Sequence, residues 1–351
     1  MTVFRNTKFR ACIALLISVM FLAGCGKKTI ILTGGFAEGE IFRINTISAT
    51  EAEMKIYLAN MANSYESVFG EEIWNTTVGD RTIDDCFKDS VLAKVSRIKV
   101  LNLMAEEEKI SLSNDEKKKL RKAAKAYMKT LEKEEKEMLS ADEDIVYRMY
   151  YEYALAEKVY NTITGEVNME ISDDDARSIT VMHIYIKTYH EDSHGRIADY
   201  SQSGKAEALE RANELREEAV TGSDFESLCA MFNEEQESTH TYIRGEMPEA
   251  YEQVAFGLEQ GEISDVIKTD DGYYIVKCIS PYERKATENN KQAIINSAKN
   301  KAFEEKYEEF LSTLTGMLNE KAWNAMTIIH DDRVTTDDFF SIYTDIMIEG
   351  K

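Results

Sequence analysis

Proline is almost missing from this sequence, with two residues in 351, and glycine is sparse at 17. That scarcity excludes collagen-like repeats and Pro-rich linkers and leaves room for long helices. Five cysteines are too few for a disulfide scaffold over this length. Basic residues are outnumbered, 42 against 64 acids, giving a net charge of -22. A surface of that sign repels phosphate backbones, which argues against nucleic acid as a partner. What remains suffices for a core. Apolar residues make up 43% and charged residues 30%, and the length suits about two domains of roughly 100–200 residues each.

The N-terminal apolar run is short as well. Ala11 to Gly24 covers 14 residues, polar only at Ser18, where spanning a bilayer takes about 20. Behind Arg5, Lys8 and Arg10 it reads as a signal peptide; an uncleaved membrane anchor is the alternative. Leu22-Ala23-Gly24-Cys25 resembles the bacterial lipobox. The resemblance implies removal of residues 1–24 and acylation of Cys25, hence an extracytoplasmic chain lipid-anchored to the bacterial cell membrane, with 25–39 as a tether. Beyond the leader stand Cys86, Cys229 and Cys278, an odd number in apolar neighbourhoods. Buried free thiols are expected, with a Cys229–Cys278 bridge as the alternative.

Glu40 to Asn45 is a short strand candidate, and Ser48 or Thr50 opens a helix through about Phe69. Residues 86–163 predict three helices. Val91, Val95, Ile98 and Leu101 mark the first by their near-3.6 spacing. Ser113 with Glu116, and Ser140 with Glu143, have the spacing of capping boxes for the next two. The Lys/Glu run from Glu132 to Glu137 reads as a solvated face. From Ile179 to Lys187 the pattern switches to alternation, with Met182, Ile184 and Ile186 on one face and Val181, His183 and Tyr185 on the other, which predicts a strand. A polar insert, three helices and two strands follow, up to Ile279. From about Ala286 to Trp323 the stripe of Ile295, Ala298, Phe303, Phe310 and Leu314 predicts one long helix that packs on residues 50–163. The acidic segment 331–351 has no readable periodicity.

The order of elements in the middle segment, and five sequence blocks, resemble the parvulin peptidyl-prolyl isomerases. Val181 to Lys187 is similar to their first strand, His-Ile-Leu-Val-Lys. Gly222 to Cys229 is similar to Gly-x-Asp-Phe-x-x-Leu-Ala. Gly245-Glu246-Met247, Tyr251 and Ala255-Phe256 follow the next block, and Gly261 to Ser264 and Thr269 to Ile275 the last two. With the lipobox and helical flanks, the chain resembles the PrsA-type foldase lipoproteins, and its helical part the SurA-type chaperones. The resemblance implies an α+β fold: a discontinuous helical chaperone domain (40–170 with 285–325) and a small parvulin-like domain (178–281) with a central antiparallel sheet. It implies a peptidyl-prolyl cis-trans isomerase acting on unfolded or partly folded secreted polypeptides, and leaves a homodimer open. A non-catalytic holdase with a degenerate parvulin domain is the alternative.

Rotation about an X–Pro bond meets a barrier of about 18–20 kcal/mol and needs no nucleophile, cofactor or metal. The enzyme must grip the proline ring and favour the twisted amide. The resemblance implies Met247, Tyr251 and Phe256 as the substrate pocket; ordinary core packing is the other reading of these three. It assigns His183 to the first of the family's paired histidines, Tyr274 to the second, and Glu234 or Glu235 to the family's Cys/Asp position. The family's glycine-rich loop has no counterpart between Gln236 and Arg244. His190-Glu191-Asp192-Ser193-His194 satisfies H-E-x-x-H, but Gly195 follows at once and no apolar stripe surrounds it, so a solvated loop is expected rather than a zinc helix.

Overall fold

The structure is a computed structural model that describes residues 35–191 and 196–348. The leader and Cys25 lie outside the described residues. The chain divides into two compact units: residues up to Glu166 together with Ala302 onward, and Val167 to Lys301.

The first unit begins with a hairpin, β1 (Glu40–Ile44) and β2 (Ile47–Thr50), turned at Asn45 in the left-handed region. Thr50 then caps α1 (Glu51–Phe69) in a capping box with Glu53. A two-stranded ladder, β3 (Thr77–Val78) and β4 (Arg81–Thr82), leads into α2 (Ile83–Glu107), whose Val91, Val95 and Ile98 are buried. Ser113 caps α3 (Asn114–Thr130) through the box with Glu116. The next stretch holds two helices where one was expected. Residues of the charged run form α4 (Lys133–Leu139), which ends at Ser140 in the left-handed region. Ser140 therefore cannot cap the following helix. Asp142 does so, accepting from Ile145 N–H at the start of α5 (Glu143–Gly165).

The second unit is built on β5 (Ser178–Lys187). The insert forms a small ladder, β6 (Tyr189–Glu191) with β7 (Ile197–Asp199), where a polar loop was expected. Next come α6 (Gln202–Val220), α7 (Phe225–Phe232), which Asp224 caps at Ser227 N–H, β8 (Thr239–Ile243), α8 (Glu249–Ala255), β9 (Ile267–Lys268) and β10 (Gly272–Ser280). The antiparallel sheet runs β8-β5-β10-β9, with His183 opposite Val276 and Tyr185 opposite Tyr274. Period-two alternation gives it two cores. Ile184, Ile186 and Ile275 pack under α6 and α7, while Val181, Tyr185, Tyr274 and Val276 pack against Tyr251, Ala255 and Phe256. Gly272 is required where β10 meets β5, because a Cβ there would lie 2.4 Å from Ile186 O and from the Tyr185 ring.

The long C-terminal helix departs from expectation in extent and in partners. α9 (Arg284–Ser312) begins on the second unit, where Ser178 N–H donates to Thr287 Oγ1 and Asn290 Nδ2 donates to Ala176 O. Ile295 and Ala298 are half-buried; burial in the first unit's core starts at Phe303. The helix stops at Ser312 because Thr313, Thr315 and Gly316 are poor helix formers. Gly316–Leu318 becomes β11, paired antiparallel with β1, Phe42 opposite Leu318. Asn319 caps α10 (Glu320–Ala325). The acidic tail is ordered too. α11 (Phe339–Ile348) packs along α3, and Phe339 is fully buried, stacked on Tyr150 at 4.3 Å. Glu135 is buried because its Oε1 accepts from Thr335 and Thr336 N–H, both at 2.8 Å, so part of the charged run is core rather than solvated face. Cys86, Cys229 and Cys278 are free thiols, the last two buried and Cys86 partly so. Burial pushes the Cys229 thiol up to about 12, which keeps it inert.

Candidate functional site

The site grows from the odd-numbered face of β5. That face turns His183 inward, and its side chain is fully buried. A buried imidazole needs partners for both nitrogens. Nδ1 lies 2.9 Å from Tyr251 Oη, and Nε2 lies 2.9 Å from Glu235 Oε2. The His183 hydrogen bond holds the Glu235 carboxyl below its ordinary range, against the opposing effect of partial burial. An ionised carboxylate can only accept, so Nε2–H donates to it, and Nδ1 shares its hydrogen bond with the Tyr251 hydroxyl, which can donate or accept. Burial pushes the Tyr251 hydroxyl well above its ordinary value, which keeps that proton available.

Tyr274 completes the network from β10. Its ring meets His183 edge-on at 5.2 Å and its hydroxyl lies 3.5 Å from Glu235 Oε1. Of the two adjacent acids only Glu235 joins His183. Glu234 is directed elsewhere, with Oε2 accepting from Lys187 N–H at 2.8 Å and Oε1 from Arg211 Nη1 at 2.9 Å. Asn233 fixes this turn: its Oδ1 accepts from Tyr185 N–H and its Nδ2 donates to the carbonyls of Glu235 and Glu237.

The three pocket candidates take different positions. Tyr251 is buried with its hydroxyl committed to His183. Phe256 is buried, and the Arg244 and Arg177 guanidinium groups lie 4.4 and 5.4 Å from its ring. Met247 packs against the same cluster and is partly exposed, as a residue that touches a ligand must be. Two neighbours had no place in the sequence reading. His240 and Tyr242 lie on β8, where a loop was expected. The His240 ring stacks on His183 at 5.0 Å, and Tyr242 stacks on His240 at 5.3 Å. The alternation Thr239-His240-Thr241-Tyr242-Ile243 is the signal that finds them. Of the H-E-x-x-H stretch, His190 and Glu191 lie on β6, with His190 stacked on Tyr200; its remaining residues lie outside the described ones.

A buried histidine held between a tyrosine and a carboxylate, on a four-stranded antiparallel sheet flanked by helices, is the arrangement to set beside known proteins. Residues 183–280 match the family model for the rotamase, PPIC-type PPIASE domain. This segment is similar to the PPIC-type peptidyl-prolyl isomerase domains. The wider chain is 24% identical over 316 residues to the foldase protein PrsA of Caldanaerobacter subterraneus, covering 85% of this chain and 93% of that one. It is 28% identical over 160 residues to the foldase protein PrsA of Staphylococcus epidermidis, 45% of this chain and 47% of that one. Among solved structures, PrsA of Bacillus cereus aligns with 76% of this chain and 97% of its own, at 19% identity and a TM-score of 0.34. The chain is similar to a PrsA foldase over most of its length, and one segment of it matches the PPIC-type domain model.

Proposed function

We propose that this protein is an extracytoplasmic foldase, anchored by a lipid on Cys25, whose PPIC-type domain catalyses cis-trans isomerisation of X–Pro bonds in secreted polypeptides. The observation that carries the reading is the His183–Glu235–Tyr251 network beside a partly exposed Met247. Its interior hydrogen bonds are already formed, so the surface over the sheet is fixed before a proline arrives. Such preorganisation lets binding favour the twisted amide rather than the planar one. Met247 offers the proline ring an apolar contact, and Tyr251 and Phe256 back it from α8. The lipobox-like Leu22 to Cys25 supports the anchor. The strongly acidic composition favours basic, extended clients.

A proline-isomerisation assay tests the activity, with wild type beside His183→Ala and Met247→Ala. The expected result is catalysis by wild type and loss in both variants; a wild-type rate equal to the uncatalysed one rejects the enzyme. A second reading, a non-catalytic holdase, is favoured by Tyr274 at the second histidine position and by β8 in place of a glycine loop. On that reading, deletion of residues 178–281 leaves suppression of client aggregation largely intact.

A further inference from the structure

Resting on the isomerase reading above, we propose that His183, Glu235 and His240 form a site for a divalent transition cation of the Zn²⁺ class, and that occupancy reversibly switches the isomerase off. Donor atoms of these three side chains lie within 4.8 Å of one another. His183 Nε2 and Glu235 Oε2 are already 2.9 Å apart. Metal–ligand bonds of about 2.0–2.1 Å place tetrahedral donors roughly 3.3 Å apart, so the third donor needs to close by at most about 1.5 Å.

His240 is free to make that move. It stands on the edge strand β8, partly exposed, tied at Nε2 to Glu237 O at 3.1 Å. Its ring lies at 28° to that of His183. One ion cannot sit in the planes of two stacked rings, so His240 turns its side chain on binding. The partly exposed edge allows that turn, whereas His183 is fixed by burial.

The groups behind the donors suit the task. Tyr251 Oη at His183 Nδ1 can accept as well as donate. When the ion takes the Nε2 lone pair, the ring proton moves to Nδ1 and donates to Tyr251. That is the orienting contact metal-bound histidines use. Tyr274 Oη stands beside the second oxygen of Glu235. Ser238 O accepts from His183 N–H, and Asn233 holds the turn between them, so two of the three donors sit on a fixed frame. Two imidazoles and one carboxylate select Zn²⁺, Ni²⁺ or Cu²⁺ over Mg²⁺ and Ca²⁺, which require mostly oxygen ligands. Three protein donors leave a fourth position for water. The ion takes the nitrogen and the carboxylate that otherwise hold each other, which dismantles the network under the proline surface.

Calorimetric titration of ZnCl₂ into the metal-free full chain in detergent tests the site. Wild type is expected to bind one Zn²⁺. His240→Ala and Glu235→Gln are expected to weaken binding at least about 10- to 100-fold, and His190→Ala to leave it unchanged. Undiminished affinity in His240→Ala overturns the proposal, as does loss of binding in His190→Ala, which would place the ion on the insert. In the isomerisation assay, Zn²⁺ is expected to slow wild type and a chelator to restore it; full activity at saturating Zn²⁺ overturns the switch. Binding is read without turnover, so the two readings fail separately. An inactive chain that binds Zn²⁺ through His240 sinks the isomerase alone, and an active chain that binds none sinks the metal site alone.

Discussion

Each unit buries polar side chains, but they are closed off differently. In the helical unit Lys99 is 1% exposed and reaches Glu53 at 2.8 Å and Glu152 at 2.6 Å. Nearby, Asn60, Tyr127 and Thr336 bond one another, and Tyr150 Oη donates to Phe339 O. These chains of bonds lie mostly in the interior and reach the surface at Arg148, 3.8 Å from Glu53, and at Asp338 beside Thr336. In the sheet unit the fully buried His183 is linked to Glu235 and stacked under His240, both partly exposed. The first network centres on a buried cation, the second on a buried ring whose partners stand at a partly exposed edge. The first chiefly serves the fold, whereas the second, the open one, can hand its hydrogen bonds to something that arrives.

The contrast is broken most forcefully in the helical unit, at Lys99 and Phe339. Lys99→Ala takes the buried cation from Glu53 and the partly exposed Glu152 and leaves Arg148, 3.8 Å from Glu53, as a weaker substitute, an outcome that costs about 3 kcal/mol. Denaturant unfolding should show that loss while isomerase activity, assayed under native conditions, stays near wild type. An unchanged midpoint would mean the pair is wetter than its burial indicates. Phe339→Ala should act comparably, at about 3–5 kcal/mol from the cavity against Tyr150, and a thermal melt that fails to move would remove the tail from the core.

The open network should answer in the opposite sense. His183→Ala orphans the buried Tyr251 hydroxyl, which costs about 1–3 kcal/mol, yet activity should fall by far more than stability. Activity lost only in proportion to the unfolded fraction would make His183 structural. The smallest effect belongs to Tyr274→Phe. Its contact with Glu235 is long, 3.5 Å, so stability should shift by less than about 1 kcal/mol. A larger shift in the urea midpoint would show that Tyr274 carries more of the network than its geometry indicates.

Legibility in the sequence followed the same divide between local and distant causes. The alternation of β5, the cap at Asp224 and the turn before Gly272 are local, and they located most of the sheet unit and its buried histidine. The pairing of His183 with Glu235 rather than Glu234 depends on Asn233 fixing a turn, and nothing in an adjacent Glu-Glu pair reveals which acid points inward. His240 was missed because β8 is a five-residue edge strand between charged segments. Glu135 looked solvated because the two N–H groups that bury it lie 200 and 201 residues further on. Ser140 read as a helix start because the cap spacing was right, while the short helix before it had already claimed the residue.

The sheet that joins β11 to β1 has a consequence in time. Thr315 N–H donates to Asn45 Oδ1 across 270 residues of chain, and Phe339 follows later still. A ribosome delivers β1 and the five helices α1 to α5 long before their last partners exist. Residues 167–301 are contiguous, so that unit can mature first, while the helical unit waits with apolar faces uncovered until the residues from Ala302 onward follow. Loop closure over such a distance is slow to be rewarded. The helical unit should therefore be most vulnerable to proteolysis in the interval before β11 and Phe339 emerge.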